Sequence, residues 1–276
     1  MVNLGVTSYL GRLSAPVDDT FNRSSDNVDW LLKAAYDLSD STMIYASAST
    51  GTKSGNFNGV NGTPEEREFD DEDTLSYELG AKASFFDSRV RLNSAIFYTG
   101  VEDYQFQQGL PDGGTIVSNE AEVEVSGLDL QLGALALENL TLTAGLLYMH
   151  DYDVVSGPNE GKKLSTTPDY TANLGATLVF PLADGALYLR GDYMVMDDHV
   201  TNNSNEPDDE AFQDRESLNA KLGWRNDNWN LSIWGKNLTD DSYAGLTSQV
   251  QRFSGSRAYY LTPPRTYGAT LRYDFR

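Results

Sequence analysis

Two runs of carboxylates are the first residues in this chain that could do chemistry. One is Glu65-Glu66-Arg67-Glu68-Phe69-Asp70-Asp71-Glu72-Asp73; the other is Glu206-Pro207-Asp208-Asp209-Glu210, with Asp214 and Glu216 behind it. Oxygen-rich segments suit hard cations, so Asp70, Asp71, Glu72, Asp73, Asp208, Asp209 and Glu210 are candidates for holding divalent cations or a cationic ligand. EF-hand spacing is absent, and solvated acidic loops are the competing reading. A second set is Glu78, Lys82, Arg91, Arg190, Asp192, Lys221, Arg272 and Asp274. These charges recur at every other position of alternating segments, where they would line a path or form ladders across a wall. The two histidines, His150 and His199, belong to no ordered nucleophile and base constellation, so the chain reads as a non-enzyme. Asn237 and Asp240 read as strand-end caps, bonding side chain to backbone. Nothing suggests a cofactor.

The elements that carry these residues must fit 276 residues with a net charge of −21, no cysteine and 11% aromatics, sixteen of them tyrosine. The absence of cysteine excludes disulfides and thiolate metal sites. The acidity argues against a nucleic-acid partner. No window approaches the ~18 apolar residues of a membrane helix, and no basic and apolar leader opens the sequence.

The dominant pattern has period two. Leu75, Tyr77, Leu79, Ala81, Ala83 and Phe85 alternate with Ser76, Glu78, Gly80, Lys82 and Ser84. Seven further segments, beginning at Val90, Leu140, Tyr170, Leu187, Leu218, Trp229 and Tyr267, repeat it. Over these eight segments the apolar face carries 0 charges in 39 positions and the other face 8 in 31. At the chain average of 22% charged, about nine would fall on the first face. A charge on a lipid-facing strand costs roughly 2–4 kcal/mol at mid-bilayer, and that cost explains the exclusion. The opposite face, rich in Ser, Thr, Asn, Gly and charge, reads as wet or packed on something polar. One segment slips phase: Ala121, Val123 and Val125 are odd-numbered, Leu128, Leu130 and Leu132 even. A β-bulge at Ser126-Gly127 would restore one face.

Three weaker strands at 3–12, 30–37 and 42–49 bring the total to about twelve. Short turns at Asp37–Ser41, Phe86–Arg89, Leu135–Asn139, Pro181–Gly185 and Arg225–Asn228 alternate with long connections near 13–29, 50–74, 105–118, 151–167, 197–216 and 238–264. Sorting of loop length by rim, with ~10-residue strands and aromatics at strand ends (Tyr98, Tyr148, Phe180, Trp224, Trp229, Tyr267, Phe275), predicts an antiparallel transmembrane β-barrel of up-and-down meander topology.

The wording of the strands resembles the TonB-dependent outer-membrane receptors. Ser76-Tyr77-Glu78-Leu79-Gly80-Ala81-Lys82 is similar to a family strand, as are Arg91 to Tyr98 and Ser126-Gly127-Leu128-Asp129, with Asp129 for the usual glutamate. Lys236-Asn237-Leu238-Thr239-Asp240 with Tyr243, and Pro263-Pro264-Arg265-Thr266-Tyr267-Gly268, resemble the family's C-terminal segments. The resemblance covers 75 to 276 well and 1 to 74 weakly. Arg276 stands after Phe275, where the family usually ends on an aromatic residue. The resemblance implies a C-terminal half of a barrel of about 22 strands over residues 1–276, with the family's signal peptide, TonB box and plug domain not found in it. It implies a Gram-negative outer membrane and energised uptake of a scarce nutrient: a ferric siderophore, another metal chelate, a vitamin or an oligosaccharide. Implied partners are outer-membrane lipid and lipopolysaccharide, the receptor's own plug and, through it, the TonB complex; half a barrel alone is not expected to transport. The alternative reading is a complete twelve-stranded barrel acting as a passive pore, closed by pairing 3–12 with 265–275.

Overall fold

Alternating Leu, Tyr and Ala against small polar residues, punctuated by Asp, Asn and Gly, fits pleated strands and tight turns. In a computed structural model, described over residues 22–58, 66–109, 115–157, 159–200, 212–249 and 257–275, these segments are strands and no α-helix occurs among the described residues. The strands are β1 (Leu31–Ser39), β2 (Thr42–Lys53), β3 (Asn56–Phe57), β4 (Glu68–Phe69), β5 (Glu72–Phe85), β6 (Val90–Gly109), β7 (Thr115–Leu137) and β8 (Leu140–Val154). They continue with β9 (Tyr170–Leu182), β10 (Gly185–Val200), β11 (Phe212–Arg225), β12 (Trp229–Lys236), β13 (Ala244–Gln249), β14 (Arg257–Leu261) and β15 (Thr266–Tyr273).

Eleven of them form one antiparallel meander, in the order β1-β2-β5-β6-β7-β8-β9-β10-β11-β12-β15. These are eleven of the twelve expected strands; the twelfth, 3–12, and its pairing with β15 lie outside the described residues. The five short turns fall on one rim, as expected. The other rim holds the long connections, two of which carry the small hairpins β3–β4 and β13–β14.

Register confirms the two faces. Ile44, Ala81, Ser94, Leu130, Leu146, Ala172 and Val195 are matched strand to strand across seven strands. This face is open: Leu79 is 54% exposed and Ile233 60%. Tyrosines cap it toward the long-loop rim, with Tyr77 opposite Tyr98 and Tyr148 opposite Tyr170. Toward the turn rim it ends in Phe85, Phe180, Trp224 and Trp229, the last with its ring 4.5 Å from that of Tyr273 and tilted to it by 52°. The eight residue steps from Tyr77 to Phe85 span about 27 Å of strand, or roughly 20 Å of height at a ~40° tilt, close to the apolar band of a barrel.

Two expectations change. The connection expected at 105–118 is strand: β6 and β7 rise well past the tyrosines, leaving only 110–114 between them. The ladder irregularity does fall at Ser126/Gly127, but the extra residue is His150 on β8, since Ser126 faces Asp151 and Gly127 faces Met149. The β6–β7 ladder runs through this point unbroken. Val123 and Val125 therefore turn to the polar face, opposite to Leu128 and Leu130. Val101, Ala121, Val123 and Val154 bury one another there, with Tyr104, Val125 and Leu164 around them. The physical reason is the change of solvent. Within a bilayer apolar groups face out; above it water lies outside, and burial must be internal.

Candidate functional site

All of the expected wall charges lie on the polar face, in successive rows. Lys82, Asn93, Gln131, Gly145, Asn173 and Met194 form one row; Arg91, Gly133, Thr143, Gly175, Asp192 and Asn219 form the next. A third holds Thr177, Arg190, Lys221, Trp234 and Gly268. The charges do not converge on one point. Arg190 grips Asp192 with two hydrogen bonds of 2.7 and 2.8 Å, and Arg272 pairs with Asp274 at 2.9 Å. Glu78, opposite Ser47, lies on the same face as Tyr45, opposite Gly80. Arg91 and Asp192 share a row four strands apart, about 19 Å.

What alternation alone could not show is that aromatic rings lie flat on this wall, each over a glycine of the neighbouring strand. Tyr45 faces Gly80, Phe97 faces Gly127, Tyr188 faces Gly223 and Trp234 faces Gly268. A Cβ at Gly80 would meet the Tyr45 ring at 2.4 Å, and one at Gly268 would meet Trp234 at 2.2 Å. Cations gather at the rings: Lys33 and Lys82 at Tyr45 (4.9 and 5.7 Å), Lys221 and Arg225 at Tyr188 (5.8 and 5.7 Å), Lys236 at Trp234 (5.5 Å). Such contacts are worth roughly 0.5–1 kcal/mol where exposed. Gly268→Val is expected to lift Trp234 off the wall, break its Nε1 hydrogen bond to Thr270 (3.2 Å) and destabilise the sheet by about 1–3 kcal/mol. Gly133→Val, where a Cβ meets nothing within 4 Å, is the control; a denaturant midpoint for each variant checks it.

At the long-loop rim the acidic run is answered from within the chain. Arg23 holds Glu68, Asp70 and Asp71 at 2.8, 3.0 and 2.9 Å. Asp71 also accepts hydrogen bonds from the Gly55 amide, Ser25 and Asn27, and these with Arg23 keep its carboxyl well below the usual range. Glu72, 8% exposed, pairs with Lys53 at 3.2 Å and accepts the Gln105 amide at 2.8 Å; Asp73 accepts from Thr52 at 2.9 Å. Asp208, Asp209 and Glu210 lie outside the described residues. Among the described residues no group of three or more His, Asp or Glu is arranged to hold a metal ion.

Three side-chain amides dock the β3–β4 hairpin on the tall β6–β7 hairpin. Buried Asn58 donates to the carbonyls of Glu66 and Val117 (2.7 and 2.8 Å) and accepts the Val117 amide (2.8 Å). Asn119 accepts the Asp70 amide at 2.6 Å and donates to the carbonyls of Asp70 and Asp103. Gln105 donates to the carbonyls of Lys53, Ser54 and Asp70, 3.1 Å each. Sequence reasoning missed all three, because isolated amides in polar segments carry no period.

At the long-loop end of β8, buried Tyr152 donates to Asp169, which pairs with Lys163 at 2.6 Å; Lys163 also lies 4.8 Å from the Tyr152 ring. Lys163 first, then Tyr152, lowers the Asp169 pKa. Burial first, then Asp169, pushes Tyr152 up to about 12. A lowered carboxylate stabilises above its unfolded pKa, ~4, and loses that contribution as pH falls through its folded value. A raised tyrosine stabilises below ~10 and loses that contribution as pH rises through its folded value. The cluster is therefore expected to hold from about pH 4 to pH 10. Amide exchange at Val154 and Leu164, which bond to Lys162 and Tyr152 at 2.9 Å, corrected for the intrinsic rate, should quicken below about pH 4 and do so less in Lys163→Met.

Near β12, Asn237 bonds by its side chain to the carbonyls of Asp241 and Pro263 (2.8 and 3.2 Å), and Asp240 accepts from Arg265 at 3.0 Å. Both tie strand ends together. The segment lies against β11 through the Asn237 amide to Asn219 (3.0 Å) and the Leu238 amide to the Leu218 carbonyl (2.7 Å), and Tyr243 sits 4.9 Å from the Arg215 guanidinium.

With this geometry in view, comparisons with known proteins are specific. The family model for a TonB dependent receptor-like beta-barrel matches residues 4–238. The pesticin receptor of Yersinia enterocolitica is 26% identical over 278 residues, covering 98% of this chain and 39% of that receptor. The ferric-pyoverdine 358 receptor of Pseudomonas putida is 27% identical over 250 residues, 87% of this chain and 28% of that one. Among solved structures, the ferric yersiniabactin uptake receptor FyuA from Yersinia pestis superposes with a TM-score of 0.75 at 23% identity, over 89% of this chain and 37% of that one. The siderophore receptor PiuA from Acinetobacter baumannii gives 0.71 at 18% identity, over 90% and 36%. These superpositions establish the fold. The chain spans 39% or less of the curated relatives it matches.

Proposed function

The chain belongs to the TonB-dependent receptor β-barrel family of Gram-negative outer membranes, and from that premise we propose that it is barrel wall of a receptor for TonB-energised uptake of a ferric siderophore or a similar metal chelate. What carries the reading is the two-faced sheet: a charge-free face bounded by aromatics for lipid, and a wall of charges and flat aromatic rings for contents. The names of relatives and neighbours, ferric-pyoverdine, ferric yersiniabactin and siderophore receptors among them, point to a chelate rather than a vitamin or a sugar. They are receptors and transporters, not enzymes, and they lend no support to a twelve-stranded passive pore. In this reading the wall holds a plug domain of the same polypeptide, the plug answers to the TonB complex, and the outer face meets lipid and lipopolysaccharide. In this reading the acidic residues Asp70–Asp73 at the long-loop rim are where ligand or bridging cations first arrive, though Arg23 and Lys53 already answer part of that run.

Deleting the gene in its host tests this. Under iron starvation, accumulation of at least one radioiron-labelled siderophore should fall at least tenfold, and a TonB-deficient strain should show the same loss. Unchanged accumulation across catecholate, phenolate, hydroxamate and citrate chelates would sink the proposal.

A further inference from the structure

Aromatic residues meet glycines across the sheet in a pattern that follows the connections. Tyr45 is matched with Gly80 between β2 and β5, Phe97 with Gly127 between β6 and β7, and Tyr188 with Gly223 between β10 and β11. Between β12 and β15, Trp234 is matched with Gly268 and Tyr267 with Gly235. All four strand pairs are joined at the long-loop rim. The five pairs joined by short turns, β1–β2, β5–β6, β7–β8, β9–β10 and β11–β12, match their glycines only with Ala, Leu, Met, Gln, Ser, Thr or Asp among the described residues. The remaining long-rim pair, β8–β9, lays smaller groups on glycine. A Cβ at Gly145 would meet Asn173 at 2.6 Å, and one at Gly175 would meet Thr143 at 2.4 Å.

A tight turn fixes the register of the two strands it joins. A long connection does not, because closure entropy hardly changes when two residues are added or removed. Even β6 and β7, which run up to 110–114, have two register shifts between Val101 and Gln105 that separate their turn from the wall. The lipid face does not choose either. A slip of one residue would turn charges outward, but a slip of two returns Leu, Ile and Ala to the outer face. The inner-wall glycine breaks this degeneracy. On the same face, Gly80 stands between Glu78 and Lys82, Gly223 between Lys221 and Arg225, and Gly268 between Thr266 and Thr270. Two residues away in either direction the ring would stand on a side chain instead of bare backbone. We infer that the rings on glycine are register pins for the strand pairs that long loops join, selecting one among the even registers that the lipid face accepts equally well. Aromatic cover of a strand glycine is an effective pin because only one position fits it.

This role belongs to assembly of the wall and holds whatever ligand the receptor carries. The test uses full-length receptor in outer membranes and paired cysteines, to which this chain adds no background because it has no cysteine. Leu231→Cys/Leu271→Cys reports the native register, and Leu231→Cys/Tyr273→Cys the register two residues away. Matched positions are within disulfide reach, whereas diagonal neighbours, about 7–8 Å apart, are not. Cross-linking is read in the folded fraction, however small. In the otherwise unchanged receptor the native pair should cross-link at least tenfold more than the slipped pair. Gly268→Thr/Thr270→Gly moves the bare position two residues along β15 and should reverse that preference. Trp234→Leu keeps the glycine but removes the ring, and both pairs should then cross-link within about threefold of each other. Gly133→Ala, opposite Thr143 across a short-turn pair, should leave cross-linking of Leu132→Cys/Ala144→Cys unchanged. A native preference that survives in the swapped receptor overturns the inference. If the swapped receptor leaves no folded fraction, Trp234→Leu decides: a tenfold native preference there overturns the inference, and mixed cross-linking upholds it. Equal loss of register in Gly133→Ala also overturns it, since any glycine would then serve.

Discussion

Leu222→Arg is expected to cost the folded sheet about 2–4 kcal/mol in a bilayer, a drop of roughly 30- to 1000-fold in the folded to unfolded ratio. Leu222 pairs with Leu189 and Ile233 in the middle of the apolar face and is 40% exposed to whatever lies outside. In lipid, a guanidinium there has no water and no partner. Gln131→Arg is the matched control. It adds the same side chain at a similar depth, in the row of Lys82, Asn93 and Asn173 and close to Asp129, to which Gln131 already donates at 3.4 Å. That arginine faces the wet wall. The amount of heat-modifiable folded receptor in outer membranes, and its denaturation midpoint in defined bilayers, should fall sharply for the first and barely for the second. Equal loss in both would mean that the apolar face is not the lipid face.

Asn58→Leu carries the other large effect, outside the bilayer. Asn58 is 8% exposed and satisfies three backbone groups, the carbonyls of Glu66 and Val117 and the Val117 amide. Leucine fits the space but leaves those groups buried and unpaired. At ~1–1.5 kcal/mol for each lost bond, the docking of β3–β4 on the tall hairpin weakens by about 3–4 kcal/mol, more than a hundredfold in the undocked population. Amide exchange at Val117 and proteolysis within 56–69 should rise accordingly, while strands in the apolar band keep their protection. Asn58→Asp is a useful companion. Its carboxylate can still accept the Val117 amide but sets a buried, charged oxygen against both carbonyls, so its effect should equal or exceed that of leucine.

The strand pattern and the resemblance in strand wording agreed because both have the same physical origin. A strand in lipid must exclude charge from one face, and Leu79, Ile96, Leu142 and Leu222 are written by that rule. The long-loop rim obeys no such rule. There, water outside reverses the logic, so Val123 and Val125 read as a slip of phase when they had turned inward, and the bulge belonged to His150 on the neighbouring strand.

The sequence by itself determined the antiparallel meander, the lipid face, the rim that carries the short turns, the placement of Glu78, Lys82, Arg91, Arg190, Asp192, Lys221 and Arg272 on one wall, and the family. Each of these follows from position along a strand, which a period of two preserves. Only the tertiary structure decided what meets across strands: Tyr45 over Gly80, Trp234 over Gly268, Arg23 among Glu68, Asp70 and Asp71, Asn58 against Val117, and Met196 beside Arg215. Those pairings depend on register between segments tens of residues apart. Register is fixed by turn lengths and by one extra residue on β8, and shifting it by a single step would exchange every partner.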